Sequence, residues 1–587
     1  MFRYIGISWV PAALDQARAA ERMSQRLCAA SGWRPVLRLP GLHVFTTGHQ
    51  PGVNDVYRLP SSQVVILGRL FRRDQADPDV AGDITLTTAE GDAIVRTSGQ
   101  TLVELFWGRY IAVLPSCLGE SRVLRDPMGT LPCYRMELQG FSVVFSWLDD
   151  VLEFADEPPG LDVSWDAIAA KLLLGQLGGR DTALHRVTEV LPGELAPLGP
   201  LAGSPSILWS AADVARRPIE CDTQSAVGLL RRAVTTCAQS WASCYGNILL
   251  RLSGGVDSAI LLSSLCPTLP PSRVTCINYH SSGSDSDERP YARLAAQRAG
   301  TKLLEQERDG MFRLDAVLDV ARTPAPGSYV GRMGTGRLDC EAATACGASA
   351  MFTGSGGDQV FYELRCTWPA ADYLTLHGFG MGFWAATLDA ARLGRVSFWK
   401  AAWRAMGDRS FRGDPMAGAG RYVTLANQDT VHRARQQGLR FVHPELISAT
   451  DLPIGKYHHL AELVSPSEYF DPYLREASPE VVTPLRSQPL VELCLAMPTY
   501  ALTRGGRGRA LARQAFSNDI PPEIANRRSK GSIDEHIAVV PCQSLSVLSW
   551  PAIGSASSGA STTVCSFASS RRHATMRRAL KAIGPEK

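Results

Sequence analysis

The sequence predicts a chain of mixed class, α/β plus α+β. Stacked antiparallel β-sheets come first, and a doubly wound parallel sheet with a helical C-terminal part follows. Three observations predict it. From Leu42 onward, short β-rich pieces at 44–47, 64–68, 110–114, 123–126 and 142–146 alternate with glycine and proline turns, the pattern of antiparallel strands. The run Ile248-Leu249-Leu250-Arg251-Leu252 breaks into Ser253-Gly254-Gly255-Val256-Asp257-Ser258 and resumes as Ala259-Ile260-Leu261-Leu262, which reads as buried strand, tight loop and helix. The same order returns at Ala350-Met351-Phe352-Thr353 followed by Gly354-Ser355-Gly356-Gly357-Asp358.

Length and composition set the frame. At 587 residues the chain needs more than one core, given domains of roughly 150 residues. Net charge is +3 with acids and bases nearly balanced, so nothing marks a nucleic-acid or polybasic membrane surface. The 14 cysteines include no CxxC pair, which argues against a zinc module and for buried thiols in a reducing cytosol. There is no apolar run of membrane-spanning length and no signal-peptide pattern. A cytoplasmic protein is expected, with neither nucleic acid nor membrane as a partner.

In order, 1–10 reads as a strand and 12–30 as a helix or a loop with helical character. The β-rich pieces follow, and a polar, proline-containing linker runs from about 198 to 223. The helix 225–245 opens the second half. Strand 274–279 precedes Asp287-Glu288-Arg289-Pro290, which leads a helix; these two acids either orient the first loop or simply complement the helix dipole. Residues 385–406 and 421–438 look helical and carry several Trp and Arg residues, Arg404 among them; packing is the expected role of the aromatics Trp399 and Trp403. His458 and His459, adjacent on a helix, do not face one ligand.

The first loop has the makings of an anion site. Gly254 and Gly255 let a ligand approach the backbone amides, Ser253 and Ser258 add hydroxyls, and a helix N-terminus points its dipole at the loop. The natural occupant is phosphate. There is no Walker A lysine. Asp257 and Asp358, carried on separate loops, suit magnesium, which takes oxygen ligands and completes its shell with water and phosphates.

Ser-Gly-Gly-Val-Asp-Ser after a strand resembles the pyrophosphate loop of the ATP pyrophosphatases. Phe106 to Val113, Arg125 to Tyr134 and Thr182 to Glu194 resemble the glutaminase domain of the asparagine synthetase family and the segment leaving it. Pro484-Leu485-Arg486-Ser487-Gln488-Pro489, Gly505 to Arg513, Ile520 to Ile524 and Arg527 to Gly531, with Ile66 to Arg73, are similar to the lasso peptide cyclases of that family. The resemblance covers about 1–537. It implies a glutaminase-like domain at 1–205, an ATP-binding synthetase domain at 206–537, and an atypical tail at 538–587 that is either disordered or an out-of-frame end.

It also implies a site. Ser253, Gly254, Gly255, Asp257, Ser258, Ser355, Gly356 and Gly357 would hold ATP, Asp257 and Asp358 would hold Mg2+, and Lys530 would be catalytic. The family's glutaminase uses an N-terminal cysteine, whereas this chain has Phe2. The domain is therefore expected to be a scaffold without glutaminase activity, since Cys28 would lack the α-amine that serves as base. The implied reaction joins an Asp or Glu side chain of a ribosomal precursor peptide to that peptide's own N-terminal amine, with a leader peptidase and a leader-binding protein as further partners. β-Lactam synthetase chemistry, asparagine synthesis from free ammonia and a non-catalytic scaffold are the alternatives; Ser355, where the β-lactam enzymes resemble each other in a tyrosine, weighs against the first.

Overall fold

A computed structural model describes residues 1–59, 62–73, 84–115, 121–156, 159–175, 178–199, 203–280, 287–308, 323–324, 330–416, 427–464 and 479–527. Lys530, the tail at 538–587 and the start of the 421–438 segment lie outside them.

The N-terminal part is a four-layer sandwich. One sheet has the order β10-β8-β9-β1-β3-β2, from Val187–Glu189, Tyr134–Leu138, Phe141–Phe145, Arg3–Ser8, Leu42–Thr47 and Arg34–Leu39. The other runs β12-β11-β7-β6-β5-β4, from Ser206–Ile207, Glu194–Pro197, Arg122–Arg125, Phe106–Leu114, Val65–Arg72 and Asp55–Arg58. All their pairings are antiparallel. Apolar side chains from both inner faces, including Tyr4, Val44, Val65, Ile111 and Val123, meet in one core. The outer face of the first sheet is covered by the helices Leu14–Ala29 and Leu148–Phe154, and that of the second by Thr88–Arg96 and Gln100–Leu105. Strand alternation explains this, since successive side chains serve the two faces of a sheet.

Phe2 belongs to the core between the sheets and is buried. Gly48, at φ +69°, leaves room for the backbone of Met1 and Phe2 to pass. Cys28, by contrast, is exposed.

The stretch read as a linker is more ordered than expected. β12 closes the second sheet against β11, and the helix Ala211–Ala215 is capped by the Ser210 hydroxyl and buried against the second half, where the Glu445 carboxylate accepts from the Ala212 amide at 2.7 Å.

The second half is built on a five-stranded sheet of order β15-β14-β13-β16-β17: Lys302–Glu307, Val274–His280, Ile248–Arg251, Ala350–Thr353 and Glu480–Val482. Every pairing is parallel. Ile248, Leu249 and Leu250 are fully buried because both faces of the sheet are covered. Ile248 and Leu250 meet the helices Thr223–Ser243 and Val256–Leu265 on one side, while Leu249 packs with Ile277 and Ala343 on the other. The chain runs from β13 outward to β14 and β15, then returns to place β16 on the opposite flank of β13. That reversal makes the β13/β16 boundary a topological switch point, where open α/β sheets bind ligands beyond the strand ends.

The two halves are joined by charge and by aromatic packing. Arg73 grips Glu492 with two bonds of 2.7 and 2.9 Å, and the Trp209 indole donates to the same carboxylate at 2.6 Å. Arg109 pairs with Glu480, which also accepts from the Tyr245 hydroxyl at 2.9 Å. Phe71 lies against Trp107 and Trp241, with ring centroids 4.5 and 5.0 Å away.

Residues 385–406 form two helices, Met381–Gly394 and Phe398–Asp408. Arg395 takes a left-handed conformation at the end of the first, and the Ser397 hydroxyl caps the second by accepting from the Lys400 amide. Trp399 and Trp403 do not pack inside: they are 73% and 72% exposed. Helical periodicity located their stripe but could not say whether anything covers it. His459 is buried with Nε2 3.2 Å from the Val360 carbonyl oxygen, whereas His458 stacks on Trp368 at 4.0 Å.

Candidate active site

β13 and β16 end level with each other, Arg251 beside Thr353, so the loops that follow leave the sheet side by side. Each glycine in the second loop answers a specific crowding. A Cβ on Gly354 would stand 2.8 Å from the Ser258 amide nitrogen, and one on Gly357 would stand 2.6 Å from the Asp257 carboxyl carbon. Gly356, at φ +90°, turns the chain where the Arg486 side chain passes beneath it. Arg486 comes from the Pro484 to Pro489 segment and donates to the Leu463 carbonyl at 3.0 Å. The neighbouring Ser487 hydroxyl accepts from the Trp241 indole at 3.0 Å. That segment therefore supports the second loop from below.

Within the first loop, the Ser258 hydroxyl donates to the Gly255 carbonyl at 3.1 Å and lies 3.3 Å from the Ser253 hydroxyl. The loop runs into Val256–Leu265, whose first amides are free of intrahelical partners. In the second loop the Ser355 amide and hydroxyl both engage Thr353 Oγ1, at 2.9 and 2.6 Å.

The two aspartates converge on one cation. Arg509 Nη1 donates to Asp257 Oδ2 at 3.0 Å, Nη2 pairs with Asp358, and Nε donates to Glu363 Oε2 at 3.0 Å. Arg509 is only 5% exposed and caps the helix Ala510–Ala515 from a left-handed conformation, φ +57°. Burial acts to lower its pKa, but Asp257, Asp358 and Glu363 outweigh it and hold the guanidinium above its ordinary value. Glu462 lies in the field of Asp358: burial raises its pKa, Arg486 opposes, and the Asp358 charge raises it further. Among the described residues, three or more His, Cys, Asp or Glu side chains are nowhere grouped so as to hold a metal ion by themselves.

The acids before the third helix of this half divide their work. Asp287 turns to its neighbour Arg289 at 2.7 Å, whose hydrogen bond pulls its pKa down to about 2. Glu288 pairs with Arg527 at 2.8 Å; Arg527 donates in turn to the Gly254 carbonyl at 3.3 Å and lies 4.0 Å over the Tyr291 ring. Glu288 thus steadies the first loop and Asp287 does not.

Of the residues expected at the site, Ser253, Gly254, Gly255, Asp257, Ser258, Ser355, Gly356, Gly357 and Asp358 are brought together. Sequence reading assigned no role to Arg509, Glu363, Glu462 or Arg527. The run Gly505-Gly506-Arg507-Gly508-Arg509 was the available signal for Arg509: a Cβ on Gly508 would collide with the Glu363 carboxylate.

The chain belongs to the asparagine synthase family, whose model matches residues 228–540. It is an ATP-dependent, amide-forming ligase. A search of curated proteins returned no match. Among solved structures, an NH3-dependent NAD synthetase from Campylobacter jejuni is similar at 11% identity over 38% of this chain and 95% of its own, with a TM-score of 0.18. The allosteric regulatory enzyme of purine biosynthesis gives 10%, 52%, 80% and 0.22 in the same order. A U34-tRNA thiolase from Methanococcus maripaludis gives 14%, 41%, 80% and 0.18. At such TM-scores these likenesses carry no argument about the site.

Proposed function

We propose that this ligase closes a macrolactam ring in a ribosomal precursor peptide of the lasso type, activating an Asp or Glu side chain and joining it to the peptide's own N-terminal amine. The observation that carries this reading is Phe2. Its side chain is buried between the sheets, in the position where a glutamine-dependent relative would present a nucleophile. The nitrogen must then come from elsewhere, and an amine on the substrate needs no ammonia. The resemblance in Pro484 to Gly531 favours a peptide as that substrate.

In the proposed reaction the substrate carboxylate attacks the α-phosphorus of ATP, and the bond to pyrophosphate breaks. The peptide amine attacks the acyl carbon of the resulting adenylate, loses a proton, and AMP departs. The amides of Gly254, Gly255, Gly356 and Gly357 would hold the phosphates, with the Ser253, Ser258 and Ser355 hydroxyls beside them. The donor set fits magnesium: Asp257 and Asp358 are oxygen ligands close enough to share one guanidinium, and Mg2+ takes few protein ligands when phosphates complete its shell. Bound there, the ion would neutralise the departing pyrophosphate. Arg509 aligns the two carboxylates. Lys530, outside the described residues, is the group proposed to stabilise charge on the reacting phosphate and acyl oxygens. Holding the peptide folded would make ring closure an oriented intramolecular step.

Incubation of the purified protein with ATP and the leader-free core of a precursor peptide encoded beside its gene tests the reading. Loss of one water from the peptide, with one AMP per ring, is the expected result. Formation of asparagine from aspartate and ammonium, with the peptide unchanged, overturns it.

A further inference from the structure

We propose that the helices Met381–Gly394 and Phe398–Asp408 lay their outer face on an anionic lipid surface. Almost half of the large apolar side chains left exposed among the described residues fall between Leu376 and Met406. Ring contacts link the exposed aromatics of the two helices, running from Phe379 through the buried Phe383 to Trp384, Phe398 and Trp399. In Phe398–Asp408 the alanines 401, 402 and 405 face the core. Trp399, Trp403 and Met406, at i, i+4 and i+7, form the outer apolar stripe, and Lys400 and Arg404 form the stripe beside it. Met381 is 85% exposed, the highest value among the large apolar side chains of the described residues.

Charge selects the occupant. Arg392, Arg395, Lys400, Arg404 and Arg409 are all exposed around the patch. Two acids on these helices offset part of that charge: Asp389 accepts from the Gly505 amide at 2.9 Å and pairs with Arg392 at 3.8 Å, and Asp408 is part-buried in the field of Arg404, so the cations still outnumber them. A second copy docking by two-fold symmetry would set like charges against each other. The chain's own tail is also cationic, with Arg571, Arg572, Arg577, Arg578, Lys581 and Lys587 against the single acid Glu586 at 538–587. Trp, Phe and Met beside Lys and Arg are the composition of helices lying in a bilayer interface, with indoles at headgroup depth. Among the described residues no helix is long and apolar enough to cross a membrane, so the contact would be in-plane. The near-neutral charge of the whole chain, which suggested no membrane partner, averages this local cluster away.

Co-sedimentation of the full chain with phosphatidylcholine–phosphatidylglycerol vesicles tests the proposal. Binding should weaken with added salt and be lost on phosphatidylcholine alone. Trp399→Ser with Trp403→Ser should cut the bound fraction about tenfold, and Lys400→Glu with Arg404→Glu should remove the preference for phosphatidylglycerol. Vesicle-free ATP–pyrophosphate exchange should stay unchanged in both variants, which separates this result from the ligase reading. The proposal is overturned if the chain stays in the supernatant, if either variant binds as the parent does, if the patch substitutions dissolve a dimer instead, or if vesicles bind only after removal of 538–587. Capture of polyglutamate in place of vesicles, with the same residue dependence, also overturns it in favour of an acidic protein partner.

Discussion

Arg509 sits where two aspartates and a glutamate would otherwise repel one another. Its planar fork reaches Asp257, Asp358 and Glu363 at once, which a lysine's compact ammonium does not. Arg509→Ala should destabilise the fold by about 3 kcal/mol, the low end for a broken buried ion pair, because Asp358 remains 40% exposed. It should also depress ATP–pyrophosphate exchange; calorimetry and an exchange assay on the same preparation check both. A second residue, Glu445, contributes to the pH dependence of stability. Burial pushes its carboxyl up to about 7, with the Ala212 amide opposing. Between the unfolded value of 4.5 and about 7 the folded state therefore binds more protons than the unfolded one, and stability falls as pH rises through that window. Glu445→Gln keeps an acceptor for Ala212 without the charge. It should raise Tm above pH about 7 and leave it little changed below about 4.5.

At the scale of elements, the site depends on two glycine loops lying flush. Gly357→Ala would drive a methyl to within 2.6 Å of the Asp257 carboxyl, separating the loops. ATP–pyrophosphate exchange should fall at least about tenfold while far-UV circular dichroism stays native. Gly407→Ala is the matched control: it lies within Phe398–Asp408 with open space around it and should stabilise the chain by about 0.5–1 kcal/mol. The strands and loops were readable because their signals are local: β13 and β16 announce themselves as apolar runs ending in glycine. The counterion of the loops was not, since Arg509 meets Asp257 across 252 positions and Glu363 across 146, a closeness made only by folding. The same limit explains Trp399 and Trp403, whose spacing gave a helix face but not its covering.

For the whole molecule, the sandwich is structurally committed to the synthetase half. Glu492 receives Arg73, Trp209 and Gln488 together, and burial acts against its ionisation while Arg73 more than restores it, leaving the pKa below the usual value. Glu492→Ala should cost about 2 kcal/mol, below the fully buried range because both partners of the pair keep some solvent contact. It should also split a single thermal transition into two, visible by calorimetry. Removing the sandwich would strip Trp241 of its contacts with Phe71 and Trp107.

The buried Phe2 has one practical consequence. Met1 is 46% exposed while Phe2 is locked in the core, so the chain passes from surface to interior in a single residue. An enzyme that uses its first residue as nucleophile is silenced by anything fused ahead of it. This one should accept an N-terminal affinity tag or a fused partner with its ligase turnover intact, which makes the front of the chain its handle for surface capture.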